Sequence, residues 1–147
     1  MTRELPGATV AARIQQQFPQ AVINWSGGDV WVRPEELRSV AAFMKADQEM
    51  DISYLVALSA VDFVEYFEMV YHLRSTRKNH NAIIKTRLYG RKQPTVSSLI
   101  EVWRGAELQE REVWDLMGIH FEGHPNMKRI LLWEGFEGHP LRKDFLR

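Results

Sequence analysis

Phe67-Glu68-Met69-Val70-Tyr71-His72-Leu73 is the stretch on which the fold turns. Phe67, Met69, Tyr71 and Leu73 face one way, and Glu68, Val70 and His72 the other. That is the period of two of a β-strand with one face buried. Ile83 to Tyr89 alternates again, with Ile84 and Leu88 opposite Lys85 and Arg87. Ser75 to Asn81 between them is polar and reads as the loop of a long hairpin. Just upstream, Tyr54 to Val61 is continuously apolar and predicts a further strand covered on both faces.

Moving outward, Val10, Ala11, Ile14 and Phe18 sit at helical spacing, and Pro19 stops that helix. Ala21 to Trp25 and Val30 to Arg33 read as two short strands around the turn Ser26-Gly27-Gly28-Asp29. Pro34 opens a second helix, with Glu35 and Glu36 complementing its dipole and Leu37, Val40, Ala41 and Met44 forming its apolar stripe. Pro94 to Trp103 reads as a turn and a short helix. Gly105 to Met117 reads as a third long helix, ended by Gly118. Strands grouped beside helices, rather than strictly alternating with them, predict an α+β fold. The expectation is a two-layer sandwich of a mixed or antiparallel sheet with helices over residues 1–118, plus an extended C-terminal strap over 119–147.

The 147 residues suffice to bury a core without covalent staples. Lys plus Arg and Asp plus Glu both number 19, so nothing in the net charge points to nucleic acid or to an anionic membrane surface. There is no Cys, which removes disulfides and the usual thiolate ligands of iron–sulfur clusters and structural zinc. The first 30 residues hold no apolar signal core, and no apolar run reaches the ~18 residues needed to span a bilayer. Membrane association is therefore expected only through a partner.

The strap is unusual. It has no helical or strand period, yet it carries Ile119, Phe121, Ile130, Leu131, Leu132, Trp133, Phe136, Leu141, Phe145 and Leu146. Disordered tails are poor in such residues. Ordering an irregular segment costs backbone entropy at every residue, and apolar side chains offset that only when something covers them. Gly123 and Gly138 can turn with positive φ, and Pro125 and Pro140 force the preceding His towards extended geometry, so the strap should bend twice. Two readings stand open at this point: the strap wraps its own sheet, or it docks on a second protein.

In the helix before the strap, Glu110 heads the row that continues through Val113, Trp114 and Met117. A carboxylate on a buried face needs a cation or hydrogen-bond donors, or it holds its proton. It reads either as a catalytic acid or proton relay, or as half of an ion pair with an Arg. The second is preferred, because one carboxylate without a nucleophile, cofactor or metal makes no reaction. Arg111, Glu112 and Asp115 fall on the opposite face, with Arg111 and Asp115 at i, i+4. His120-Phe121-Glu122-Gly123-His124 is not the His-Glu-x-x-His order of a zinc helix, and Gly123 and Pro125 oppose a helix there. His124 and His139 are expected to bond to backbone or to partner groups in their turns. Gly27-Gly28 lacks both phosphate-loop and dinucleotide patterns. The cations Arg74, Arg77, Lys78, His80, Lys85, Arg87, Arg91 and Lys92 have no interleaved aromatic platform in sequence. They read as a solvated hairpin, or a contact for an acidic partner protein, rather than an RNA site.

Glu110-Arg111-Glu112-Val113-Trp114-Asp115-Leu116-Met117-Gly118-Ile119-His120-Phe121-Glu122-Gly123-His124-Pro125 resembles the signature of the C-subunit family of NADH-quinone oxidoreductase, the respiratory complex I type. The resemblance continues through Arg129-Ile130-Leu131-Leu132 and Glu137-Gly138-His139-Pro140-Leu141-Arg142-Lys143-Asp144-Phe145, and upstream includes Ser59-Ala60-Val61-Asp62 and Pro94-Thr95-Val96-Ser97-Ser98-Leu99. Met117, Ala57 and Asn126-Met127 depart from the residues common in that family. The resemblance implies a peripheral-arm subunit on the cytoplasmic face of the cell membrane, without cofactor, metal or active site of its own. Iron–sulfur clusters and flavin would belong to other subunits. The strap would lie on the large quinone-site D-subunit, with the iron–sulfur B-subunit close by. The implied role is to support electron transfer to quinone coupled to proton translocation. The implied interface comprises Glu110, Arg111, Trp114, Asp115, Phe121, His124, Arg129, Trp133, His139, Arg142, Lys143 and Asp144. The equivalent scaffold subunit of a membrane-bound hydrogenase or formate hydrogenlyase is the alternative.

Overall fold

The computed structural model describes residues 2–145. Strand β1 (Arg3–Glu4) leads into helix α1 (Gly7–Gln17), and the hairpin β2 (Val22–Ser26) and β3 (Asp29–Val32) follows. A 3₁₀ turn, Pro34–Glu36, precedes helix α2 (Leu37–Ala46). Three nine-residue strands come next: β4 (Tyr54–Asp62), β5 (Phe67–Ser75) and β6 (His80–Leu88). Strand β7 (Thr95–Ser97), helix α3 (Ala106–Met117) and strand β8 (His120–Glu122) complete the body.

The main sheet runs β2-β3-β6-β5-β4, with β1 also paired to β6. The β4–β5 and β5–β6 ladders are antiparallel, whereas β3 and β1 both pair with β6 in parallel, so the sheet is mixed. The expected α+β architecture is present. Alternation in β5 comes out as read: Phe67, Met69, Tyr71 and Leu73 are buried. Together with Ile84 and Leu88 they form a core with Val10, Ile14, Leu37, Val40 and Met44 of α1 and α2. At Gly7 a Cβ would meet the Gly27 carbonyl oxygen at 2.7 Å, so α1 can seat against the β2–β3 turn only with glycine there.

Four expectations are corrected. First, β4 is not covered on both faces. It is the edge of the sheet, and Tyr54, Val56 and Val61 are exposed. The helices cover one face only. The edge is capped in its middle by Gln109, whose Oε1 accepts from Leu58 N at 2.6 Å. Second, the short helix expected within 94–103 is a single turn, with Val102 N and Trp103 N both donating to Leu99 O. Thr95–Ser97 is claimed instead by a parallel pairing with His120–Glu122. Third, that pairing carries the body through Glu122, with Ile119 and Phe121 buried, so the irregular strap begins at 123. Fourth, the basic cluster is not simply solvated. His80 is buried and its Nε2 lies 2.6 Å from Met50 O. Lys85 and Arg87 stack over Trp31, and Arg87 also over Tyr66, aromatics brought from other elements. Their charges are met by Asp29 and Glu68.

Candidate partner interface

The strap lies along α3 and reaches the β4–β5 corner, held by two ion-pair hubs. The first is Asp115. The helical spacing puts its side chain opposite the Val113–Met117 stripe, yet it is fully buried, because the strap closes over it. One carboxylate oxygen accepts from Ile130 N, Leu131 N and Leu132 N at 3.1, 2.7 and 2.9 Å. The other accepts from Arg129 Nη1 at 2.7 Å. Burial pushes this carboxyl up, but the Arg129 guanidinium and the three strap amides outweigh burial and hold it at about 2. Arg129 then donates through Nη2 to Phe136 O and Gly138 O, folding the strap back on itself. Its guanidinium sits over Trp114 and Phe136.

Around this hub, Arg111 donates to Lys128 O and Arg129 O rather than pairing with Asp115. His139 Nδ1 lies 3.0 Å from Asp115 O and His124 Nε2 3.0 Å from Glu107 O. Both histidines therefore bond to the backbone of α3, and His124 also accepts, at Nδ1, from Asn126 N in its own turn at 3.1 Å. Gly118 ends α3 at φ +75°, where a Cβ would also strike the His139 ring at 2.7 Å.

The second hub is Arg91. Its guanidinium binds Asp62 through two bonds of 2.8 and 2.7 Å and Asp144 at 2.9 Å. Lys143 N also donates to Asp62, at 2.9 Å. The Arg91 bond is the main reason the Asp62 carboxyl lies well below the usual range. Arg91 and Arg142 both lie over the Phe67 ring. Arg142 also donates to Arg91 O.

Among the described residues Glu110 makes no ion pair, contrary to expectation. It is fully buried, accepting from Ser98 Oγ at 2.6 Å and Leu99 N at 2.8 Å. Burial is the chief cause of its raised pKa. Among the described residues no group of three or more His, Cys, Asp or Glu could hold a metal. The twelve residues proposed from sequence thus divide. Glu110, Asp115 and Phe121 are buried within the chain. Arg111, Trp114, His124, Arg129, His139 and Arg142 are half-buried and hold the strap. Trp133, Lys143 and Asp144 are exposed.

Outside the hubs the strap leaves apolar side chains uncovered. Leu131 is 60% exposed, Trp133 69% and Leu141 60%. The sequence marks Leu131 and Leu141 as apolar strap residues but carries no signal that assigns them to an interface. Leu146 lies outside the described residues.

The family model of the respiratory-chain NADH dehydrogenase 30 Kd subunit matches residues 30–147. The chain belongs to that family. An NADH-quinone oxidoreductase C-subunit from Roseiflexus castenholzii is 44% identical over 95% of this chain and 84% of its own length. The corresponding C-subunit of Rhodobacter capsulatus is 41% identical over 92% of this chain and 71% of its own length. Among solved structures, a trypsin-resistant fragment (1-134) of Nqo5 matches with TM-score 0.61 and 26% identity, over 81% of this chain and 97% of the fragment. A chain of the membrane-bound sulfane sulfur reductase, an archaeal respiratory membrane complex, matches with TM-score 0.77 and 25% identity, over 95% of this chain and 85% of that one. Membership of the 30 Kd family thus rests on sequence along nearly the whole chain and on a shared fold. No helix among the described residues is long and apolar enough to cross a membrane.

Proposed function

We propose that this chain is a non-catalytic scaffold in the peripheral arm of a complex I-type NADH-quinone oxidoreductase, on the cytoplasmic face of the membrane. In this reading its strap docks on the large quinone-site subunit, with the iron–sulfur subunit nearby. The chain binds no cofactor. It supports electron transfer to quinone, coupled to proton translocation, by holding that module in shape.

One observation carries the reading. The strap backbone is fixed by buried charge and backbone hydrogen bonds, while Leu131, Trp133 and Leu141 point into solvent. A segment ordered by its polar atoms, with its large apolar groups left out, is built to be covered. Each such side chain contributes about 1.5–3 kcal/mol once fully covered. A second reading places the same scaffold in a different respiratory membrane complex, such as a membrane-bound hydrogenase; the match to a chain of an archaeal respiratory membrane complex supports that wider class. The 44% identity to a curated NADH-quinone oxidoreductase relative weighs towards the first.

The test is co-purification of the tagged full chain with the large quinone-site subunit. Leu131→Asp combined with Trp133→Asp should lower its recovery at least tenfold, while circular dichroism and the thermal midpoint of the free chain stay unchanged. Turnover per assembled complex should be unaltered. Undiminished recovery of the large subunit by the double variant would overturn the docking assignment.

A further inference from the structure

A strained turn stands beside the second hub. Between β4 and β5, Glu65 N donates to Phe63 O at 2.9 Å, an i to i+2 bond around Val64 at φ +73°. A β-branched residue in that region is a genuine outlier, and the tight three-residue turn it makes is of the rare, strained kind. Two bonds impose it. Val64 N donates to Asp62 Oδ1 at 2.8 Å, and Arg91 Nη1 donates to Val64 O at 2.9 Å. Strain of this sort persists only where surrounding structure over-determines it.

What the strain achieves is display. Phe63 is 44% exposed and Val64 56%, with Val61 beside them at 40%. A run of ring contacts, Phe63 to Tyr66 at 5.3 Å and Tyr66 to Tyr89 at 5.5 Å, extends the patch to Tyr89, itself 67% exposed. A hydrophobic tip that served only the chain's own stability would turn inward. The tip is also joined to the strap, because Arg91 binds Asp62, Val64 O and Asp144 at once. Lys92 and Lys143 are exposed on its flank and have no ion-pair partner among the described residues, while Glu65 is the turn's own exposed acid.

We infer that the Phe63–Val64 turn is a second docking element, inserted into an apolar recess edged by carboxylates on the same large subunit that receives the strap. The inference rests on the proposed strap contact for the identity of that subunit, since the Arg91 hub joins both elements. The recess supplies the apolar cover, and its carboxylates meet Lys92 and Lys143.

Two variants test it in the full chain, co-expressed with the rest of its complex, by the amount of large quinone-site subunit recovered per tagged chain. Val64→Asn suits the positive φ and removes the apolar tip. It should raise the thermal midpoint of the free chain, or leave it unchanged, yet lower recovery at least fivefold. Phe63→Ser should lower recovery to a similar extent. If Val64→Asn stabilises the free chain and recovery stays full while the strap double variant loses the large subunit, the turn is only a turn and the inference fails alone. If neither the turn nor the strap variants lower recovery, both assignments fail together. Should Phe63→Ser lower the midpoint of the free chain, Val64→Asn decides by itself.

Discussion

At Glu110 the chain buries a carboxyl whose donors, Ser98 Oγ and Leu99 N, are both neutral. Deep burial was legible, because the residue heads an apolar row on α3. The donors were not, since they follow β7 and reach Glu110 only once β7 pairs with β8. Its pKa is raised by burial, so the sign of the pH effect is set. The stabilising protonated form is complete below the ordinary glutamate range and is lost as pH rises through the folded value. Glu110→Gln keeps the shape and drops the titration. The stability of the wild type relative to this variant, followed by urea denaturation, should therefore fall as pH rises from 4.5 towards 7. A flat difference across that range would show that burial does not perturb the group. Glu110→Ala is a different experiment: it orphans two buried donors and should cost about 2–3 kcal/mol at pH 4.5, a penalty that shrinks with rising pH as the wild type's own stabilisation is lost.

The strap, as an element, is organised by the Asp115 carboxylate rather than by its own side chains. Here the sign is opposite. With its carboxyl held at about 2, Asp115 contributes stability that is fully present above the ordinary aspartate value of 3.8 and is lost as pH falls through about 2. Because the side chain is completely buried, that gap corresponds to roughly 2 kcal/mol at pH 7. Asp115→Asn should lower stability by about that amount at pH 7, and the penalty should shrink as pH drops from 4 towards 2. A penalty independent of pH would mean the ion pair with Arg129 does not anchor the strap. Periodicity reads local elements well and long-range ones badly. The hairpin of β5 and β6 was plain from its alternation, and α3 from its stripe and Gly118. Strand β1 is two residues long, too short for any period, and exists only because β6 offers it an edge. Continuous apolar character in β4 suggested cover on both faces. The described residues leave its outer side chains exposed, and composition alone could not tell an edge from a centre. Asp115 was misplaced for a related reason: a helical wheel knows the helix but not the strap that later lies across it.

Taken whole, the molecule has two regimes of order. The body is held by a continuous apolar core, whereas the strap from 123 onward is held by two charged hubs and a few ring contacts, such as Phe136 on Phe145. Local stability follows buried apolar contacts, so the two should open independently. Hydrogen exchange on the full chain tests this. In the free chain, the amides of β5 should exchange only through global unfolding. Those of Ile130, Leu131 and Leu132, which donate to Asp115, should show intermediate protection, and the unbonded strap amides around them almost none. In the assembled complex the strap should slow towards the rate of β5, because covering Leu131, Trp133 and Leu141 removes the opened state from solvent. Strap amides that already exchange as slowly as β5 in the free chain would show the segment to be complete without a partner. The exposed leucines and tryptophan would then be ordinary surface residues, and nothing in the fold would require a second polypeptide.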